Sequence, residues 1–284
     1  MFSGGHIIVA VADLDAAARF YTEQLGLRLT HRFGNRWVAV DAGPSYWGTD
    51  EGGAGLFLGL QPHTSDYPAP GTRGAVGFGL ETGDPLEPLV TQCSAHGVRF
   101  TSDVIAFEGG KSIALDDADG NETYLWEQTE DVLAESERST VDAEGGAGSP
   151  SISGGHAIVF VSNMDRAVHY YSEVLGFPLT FRYADKIAFV EAGRRLVIAL
   201  HPTSPKYAAP GTRGAVRIAL QVDEPIDRVV SRLAARGVRV ATGKGGAQAS
   251  TVIEDFDGNP IELVEEGARS RTDDDKAVLA QPSR

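Results

Sequence analysis

The sequence predicts an α+β protein built from two tandem copies of one domain, each a pair of βαβββ units that curl a mixed sheet around a concave cavity. Three observations carry this: the chain is written twice in the same order, each copy alternates β-branched runs with amphipathic helical stretches, and the segment between the copies has the composition of a linker.

The repeat is direct. Gly4-Gly5-His6-Ile7-Ile8-Val9 returns as Gly154-Gly155-His156-Ala157-Ile158-Val159, and Phe20-Tyr21-Thr22-Glu23-Gln24-Leu25-Gly26 returns as Tyr170-Tyr171-Ser172-Glu173-Val174-Leu175-Gly176. Ala69-Pro70-Gly71-Thr72-Arg73-Gly74-Ala75-Val76 returns at 209–216, and Asp119-Gly120-Asn121 returns at 257–259. The first copy carries extra Gly-rich sequence around Pro44–Gly55, read as a longer hairpin loop. The expected division is a first domain at 1–128, a flexible linker at 129–151, a second domain at 152–266 and a disordered tail at 267–284.

Within the first copy, the β-branched run His6–Val11 reads as a buried strand. Asp13 is placed to cap a helix whose apolar face is Leu14, Ala17, Ala18, Tyr21 and Leu25, with Gly26 as its stop. Trp37–Val40, Leu56–Leu60 and Ala75–Leu80 read as strands. Asp84-Pro85 opens a second helix with Leu86, Leu89, Val90 and Cys93 on one face. Further strands follow, the last after the turn at Asp119-Gly120. The second copy repeats the order, with Met164, Ala167, Val168, Tyr171 and Leu175 on its first helix and Ile226, Val229, Val230, Leu233 and Ala234 on its second.

Composition narrows the function classes. The chain has 284 residues with 42% hydrophobic, enough for each half to build a core. The single cysteine, Cys93, excludes a disulfide framework and a multi-cysteine zinc site. A net charge of −14 repels phosphate backbones, and no basic stripe offsets it, so nucleic acid is not an expected partner. No apolar run reaches the ~18 residues of a membrane span and no signal-peptide pattern opens the chain. The expectation is a cytoplasmic protein that handles a small molecule, either a monomer whose copies form an in-chain pseudo-dimer or a homo-oligomer.

Each copy resembles a domain of the vicinal oxygen chelate superfamily, which includes glyoxalase I, extradiol dioxygenases, fosfomycin-resistance enzymes and bleomycin-binding proteins. The carriers are the His at the start of the first strand, the Asp-Leu-Asp…Phe-Tyr…Leu-Gly helix signature, and the closing strand Asp-Gly-Asn-Pro-Ile-Glu-Leu-Val-Glu at 257–265. The fold hosts lyases, isomerases, dioxygenases, transferases and plain binders, so the resemblance implies a fold before it implies a reaction.

Metal-using relatives place ligands on the first, fourth, fifth and eighth strands. The resemblance puts these near His6, Gly59, Ala75 and Tyr124 in the first copy, and near His156, Ala199, Ala215 and Glu262 in the second; Gly59 and Ala199 offer no ligand, and two residues further on the same side stand Gln61 and His201. Alanine at both fifth-strand positions departs from a standard glyoxalase I or extradiol dioxygenase. The second copy keeps His156, His201 and Glu262, and two imidazoles with a carboxylate can hold one divalent ion (Zn, Ni, Mn or Fe) facially. Glu262 would then double as the catalytic carboxylate. His6 and Gln61 form a weaker set. The three tryptophans, Trp37, Trp47 and Trp126, all lie in the first copy, and Trp37, Tyr124 and Trp126 are candidates for an aromatic box that stacks a flat ligand. Arg73 and Arg213 are candidates for an anionic group.

Which residues share a cavity depends on pairing. If each copy closes on itself, His156, His201 and Glu262 converge; if the copies exchange halves, His6 and Gln61 face Glu262, and His156 and His201 face Tyr124. Two functions follow: a glyoxalase-like, metal-dependent lyase or isomerase, with an Fe(II) dioxygenase as a variant, or a metal-free protein of the bleomycin-resistance type that sequesters a planar natural product and needs no cofactor.

Overall fold

The computed structural model describes residues 1–49, 55–107, 110–128, 152–242 and 251–265. The expected linker at 129–151, the tail at 267–284 and part of the Pro44–Gly55 loop lie outside the described residues.

The first copy supplies β1 (Phe2–Val11), β2 (Arg28–Phe33), β3 (Trp37–Pro44), β4 (Gly55–Pro62), β5 (Val76–Thr82), β6 (Arg99–Phe100), β7 (Ile105–Phe107), β8 (Gly110–Asp116) and β9 (Glu122–Gln128). The second supplies β10 (Gly154–Val161), β11 (Leu179–Tyr183), β12 (Ile187–Glu191), β13 (Val197–Pro202), β14 (Val216–Val222), β15 (Arg239–Thr242), β16 (Thr251–Glu254) and β17 (Pro260–Glu265). They form two mixed sheets, and the copies exchange halves. The first sheet runs β15-β16-β17-β14-β1-β4-β3-β2, and the second runs β11-β12-β13-β10-β5-β9-β8-β6 with β7 on β8.

The exchange is welded by β1 against β14 and β10 against β5, both antiparallel. The chain passes between sheets twice, after β4 and after β13, and the two passages cross. Ala75 donates its N–H to the Thr212 carbonyl and Ala215 to that of Thr72, each at 2.9 Å. A Cβ on Gly74 would lie 2.4 Å from the Gly214 nitrogen, so the paired Gly-Thr-Arg-Gly turns need glycine where the two backbones touch. The fifth-strand alanines are explained by the same place: Ala75 and Ala215 are buried at the crossing.

Helices cover one side of each sheet. In α1 (Leu14–Arg19) Asp13 caps the first turn by accepting from the Asp15 and Ala16 N–H groups at 2.9 and 3.0 Å. A π-helical turn, Phe20–Gln24, continues it and turns Tyr21 inward, fully buried. α2 (Leu86–Ala95) follows Pro85 without a side-chain cap, α3 (Met164–His169) repeats the α1 plan with Asn163 as its cap and its own π-helical turn Tyr170–Val174, and α4 (Ile226–Ala235) follows Pro225 as α2 follows Pro85. Alternation sends Ile7, Val9 and Val11 of β1 toward the helices and His6, Ile8 and Ala10 to the opposite side, called here the front face.

The Asp-Gly-Asn turns clamp each copy across the exchange. Asn121 donates to the Ala10 carbonyl at 3.1 Å, and Asp117 accepts from the Tyr21 hydroxyl at 3.0 Å. Asn259 and Asp255 repeat this with Phe160 and Tyr171. Burial raises the Asp117 and Asp255 carboxyls above their usual range. The closing-strand signature is thus a structural clamp between sheets.

Candidate functional site: two front faces

The register gives each front face a row of three strands. In the first sheet His6 lies opposite Ala219, and Ala219 opposite Glu262. In the second, His156 lies opposite Gly79, and Gly79 opposite Tyr124. One step along the parallel neighbour, Ala10 pairs with Gln61 and Phe160 with His201. His156 and His201 therefore stand on the second sheet and Glu262 on the first. The three-residue set drawn from the second copy is not assembled, because exchange sends the last strand of each copy to the other sheet.

The first front face is held by charge. Arg217 occupies its centre, opposite Ile8. Its guanidinium makes a short charge-assisted bond to Glu262, donates to the Gln61 Oε1 at 3.0 Å, and lies 3.6 Å over the Tyr67 ring. The Arg217 and Glu262 side chains are 8% and 9% exposed. Trp37 packs flat on Gly59, where a Cβ would come within 1.8 Å of the indole, and its ring meets His6 edge-on at 5.5 Å. Tyr67, Arg213, Arg217 and Glu262 border a cavity of about 60 Å³.

The second front face is aromatic. Trp126, Phe160, Phe189, Ile158 and Val197 are buried there, with Tyr124, Phe181 and Tyr207 at the edge. The position of Arg217 is held by Gly77, which leaves no side chain. Ser45–Thr49, the start of the extra segment of the first copy, lies across this face as a strap. Ser45 donates to the Glu81 Oε1 at 2.8 Å and the Tyr46 N–H to Oε2 at 2.7 Å. Thr49 donates its N–H and hydroxyl to Glu191, both at 2.7 Å. Between these anchors Trp47 stacks on Phe189 with ring centroids 4.3 Å apart.

At its centre stands the fully buried His156, Nδ1 2.6 Å from the Glu81 Oε1. Its ring meets Trp126 and Phe189 edge-on at 5.1 and 5.2 Å. The Nε2 of His156 and the Nε1 groups of Trp47 and Trp126 are buried with no hydrogen-bond partner. Burial first, and the nearby His156 second, lower the pKa of His201 to about 4, so at neutral pH it is an uncharged imidazole. Burial and Glu122 raise the Tyr124 phenol above its usual range, and its hydroxyl donates to Glu122 at 2.8 Å.

The proposed aromatic box is divided. Trp126 and Tyr124 lie on the second face but Trp37 lies on the first, and the rings completing the box are Trp47, Phe160, Phe181, Phe189 and Tyr207. Arg73 and Arg213 are exposed on the crossing turns, Arg73 bound to Glu122 at 2.7 Å and Arg213 3.9 Å from Glu254. Sequence reading missed Arg217 and Glu81. Both carry a signal: each is an ionisable residue in an otherwise apolar strand, and the copies differ there, Gly77 against Arg217 and Glu81 against Gln221. Cys93 is buried in the core, its thiol pushed up to about 11 by burial, which suits a packing role.

The donor sets do not fit a resident divalent ion. Among the described residues no group of three or more His, Cys, Asp or Glu side chains is arranged to hold one. On the first face the guanidinium already supplies the positive charge to Glu262 and Gln61. On the second face the position matching Glu262 is a phenol that keeps its proton.

An α+β fold of paired βαβββ units, each sheet with an enclosed front face, defines a class, and comparison agrees. The chain belongs to the glyoxalase/bleomycin resistance protein/dioxygenase superfamily, whose family model matches residues 4–125 and 154–263. The virulence protein STM3117 of Salmonella typhimurium is 32% identical over 119 residues, which is 38% of this chain and 80% of that protein. Among solved structures, a candidate dioxygenase of Bacillus subtilis aligns with a TM-score of 0.60 at 20% identity, covering 93% of this chain and 85% of the other. Glyoxalase I from Zea mays aligns with a TM-score of 0.60 at 15% identity, covering 93% and 92%. At these identities the structural likeness speaks for the fold. No helix among the described residues is long and apolar enough to cross a membrane.

Proposed function

We propose that the protein binds a flat aromatic small molecule on the front face of the second sheet, without a metal ion, as a sequestering protein of the bleomycin-resistance type. One observation carries the reading: three buried ring nitrogens, of His156, Trp47 and Trp126, have no partner inside an otherwise apolar aromatic cluster. Buried polar atoms are satisfied in the great majority of cases, and each one left open costs about 1–3 kcal/mol. A ligand with polar edges and an aromatic face relieves that cost while stacking where the Trp47 indole now lies on Phe189. The acidic surface and the absence of a basic stripe favour a small molecule over a nucleic acid.

The metal-dependent lyase or isomerase and the Fe(II) dioxygenase both require a set of donors that the described residues of neither front face bring together. Titration with bleomycin and with 2-methoxynaphthalene, followed by tryptophan emission and calorimetry, tests the proposal. Saturable binding of either that is lost in Trp126→Ala is expected. Absence of binding to both, together with stoichiometric uptake of Zn, Ni, Mn or Fe(II), would overturn it in favour of the metal enzyme.

A further inference from the structure

The pair formed by Glu81 and His156 defines what kind of aromatic ligand that face selects. Glu81 is buried, and three groups converge on its two oxygens: the Ser45 hydroxyl, the Tyr46 N–H and the His156 Nδ1. The first two are donors, so the carboxylate acts as acceptor throughout, and Nδ1 carries the imidazole proton. A neutral imidazole has one donor and one acceptor nitrogen. In that neutral form Nε2 is the acceptor, and it is buried without a partner in a wall of Trp126 and Phe189.

The strand opposite places no side chain against that nitrogen. Gly79 faces His156 across the β10–β5 pair, and a Cβ there would lie 3.0 Å from Nε2. At the matching place on the first sheet His6 faces Ala219, so the fold accepts a methyl group at this position and the second sheet omits it.

We infer that the second front face is selective for flat aromatic ligands bearing a hydroxyl donor, phenols above all, whose O–H donates to the His156 Nε2 over Gly79. Glu81 is a positioning residue: it sets the tautomer and the ring orientation, and it ties both to the strap through Ser45 and Tyr46. The inference rests on the aromatic-binding reading above and adds the chemical class.

A matched pair of probes, 2-naphthol and 2-methoxynaphthalene, differs only in the donor proton. Calorimetry on the full chain is expected to show naphthol binding about tenfold more tightly, the worth of one net hydrogen bond. Gly79→Ala and His156→Phe are each expected to remove that preference. Gly79→Ala is decisive if His156→Phe does not fold, because the first sheet already carries alanine at that place. Equal affinity of wild type for both probes, or a preference that survives either folded variant, overturns the inference and leaves aromatic binding intact. Failure of wild type to bind either probe overturns the inference, and failure to bind bleomycin as well overturns the aromatic-binding reading.

Discussion

The two front faces occupy matching places on the two sheets and are built from matching strands, yet one is organised by a buried ion pair and the other by stacked rings. Position by position, Arg217 corresponds to Gly77, Glu262 to Tyr124, Gln61 to His201 and Gln221 to Glu81. The first face answers its buried carboxylate with a guanidinium fixed on one side by Glu262 and Gln61 and stacked on Tyr67. The Nη1 and Nη2 of Arg217 are bonded there, while its Nε is buried without a partner. The second face has no such cation, and its open polar atoms are ring nitrogens. Duplication supplied two copies of one scaffold, and divergence of a few inward positions organised one face around an ion pair and the other around stacked rings whose nitrogens are open.

Replacing Arg217 by its second-sheet counterpart is the strongest way to break this contrast. Arg217→Gly leaves Glu262 buried without its cation and is expected to cost about 3–5 kcal/mol, read as a lower midpoint in urea unfolding. A loss under about 1 kcal/mol would mean that the ion pair is not what organises the first face.

Acid should act on the second face by way of His201. Its folded pKa is about 4 against an ordinary 6.5, so the unfolded chain takes up the proton first as pH falls. Stability from this residue is complete above pH 6.5 and is lost progressively down to pH 4, by up to about 3 kcal/mol. His201→Gln, which installs the residue of the first face, should flatten that part of the pH–stability curve, and an unchanged slope would place the acid sensitivity elsewhere.

The smallest effect concerns the strap. Trp47→Ala vacates the surface of Phe189 and should tighten 2-methoxynaphthalene binding a few-fold, about 1 kcal/mol, in calorimetric titration. Weaker binding in this variant would show that the indole is part of the binding surface and not its competitor.

Much of the architecture was legible in the residues. The repeat, the helix faces, the Asp13 cap and the Asp-Gly turns are local signals, readable because hydrophobic period, capping and turn chemistry act over a few neighbouring residues. The roles of His156 and Glu262 were not readable in the same way. Both sit on the inward side of their strands as alternation requires, but alternation assigns a side and never a partner.

Partnership was decided by tertiary structure, at the crossing of the two Gly-Thr-Arg-Gly turns. Exchange of halves and closure of each copy on itself use the same strands with the same faces, and nothing in the local sequence separates them. The exchange moved Glu262, together with its neighbour Arg217, to Gln61, and brought Trp126 of the first copy against His156, His201 and Phe189 of the second. By itself the sequence determined the fold class, the strands and the inward-facing residues; only the tertiary structure sorted those residues into a charged face and an aromatic one, because side chains far apart in sequence meet only where strands pair.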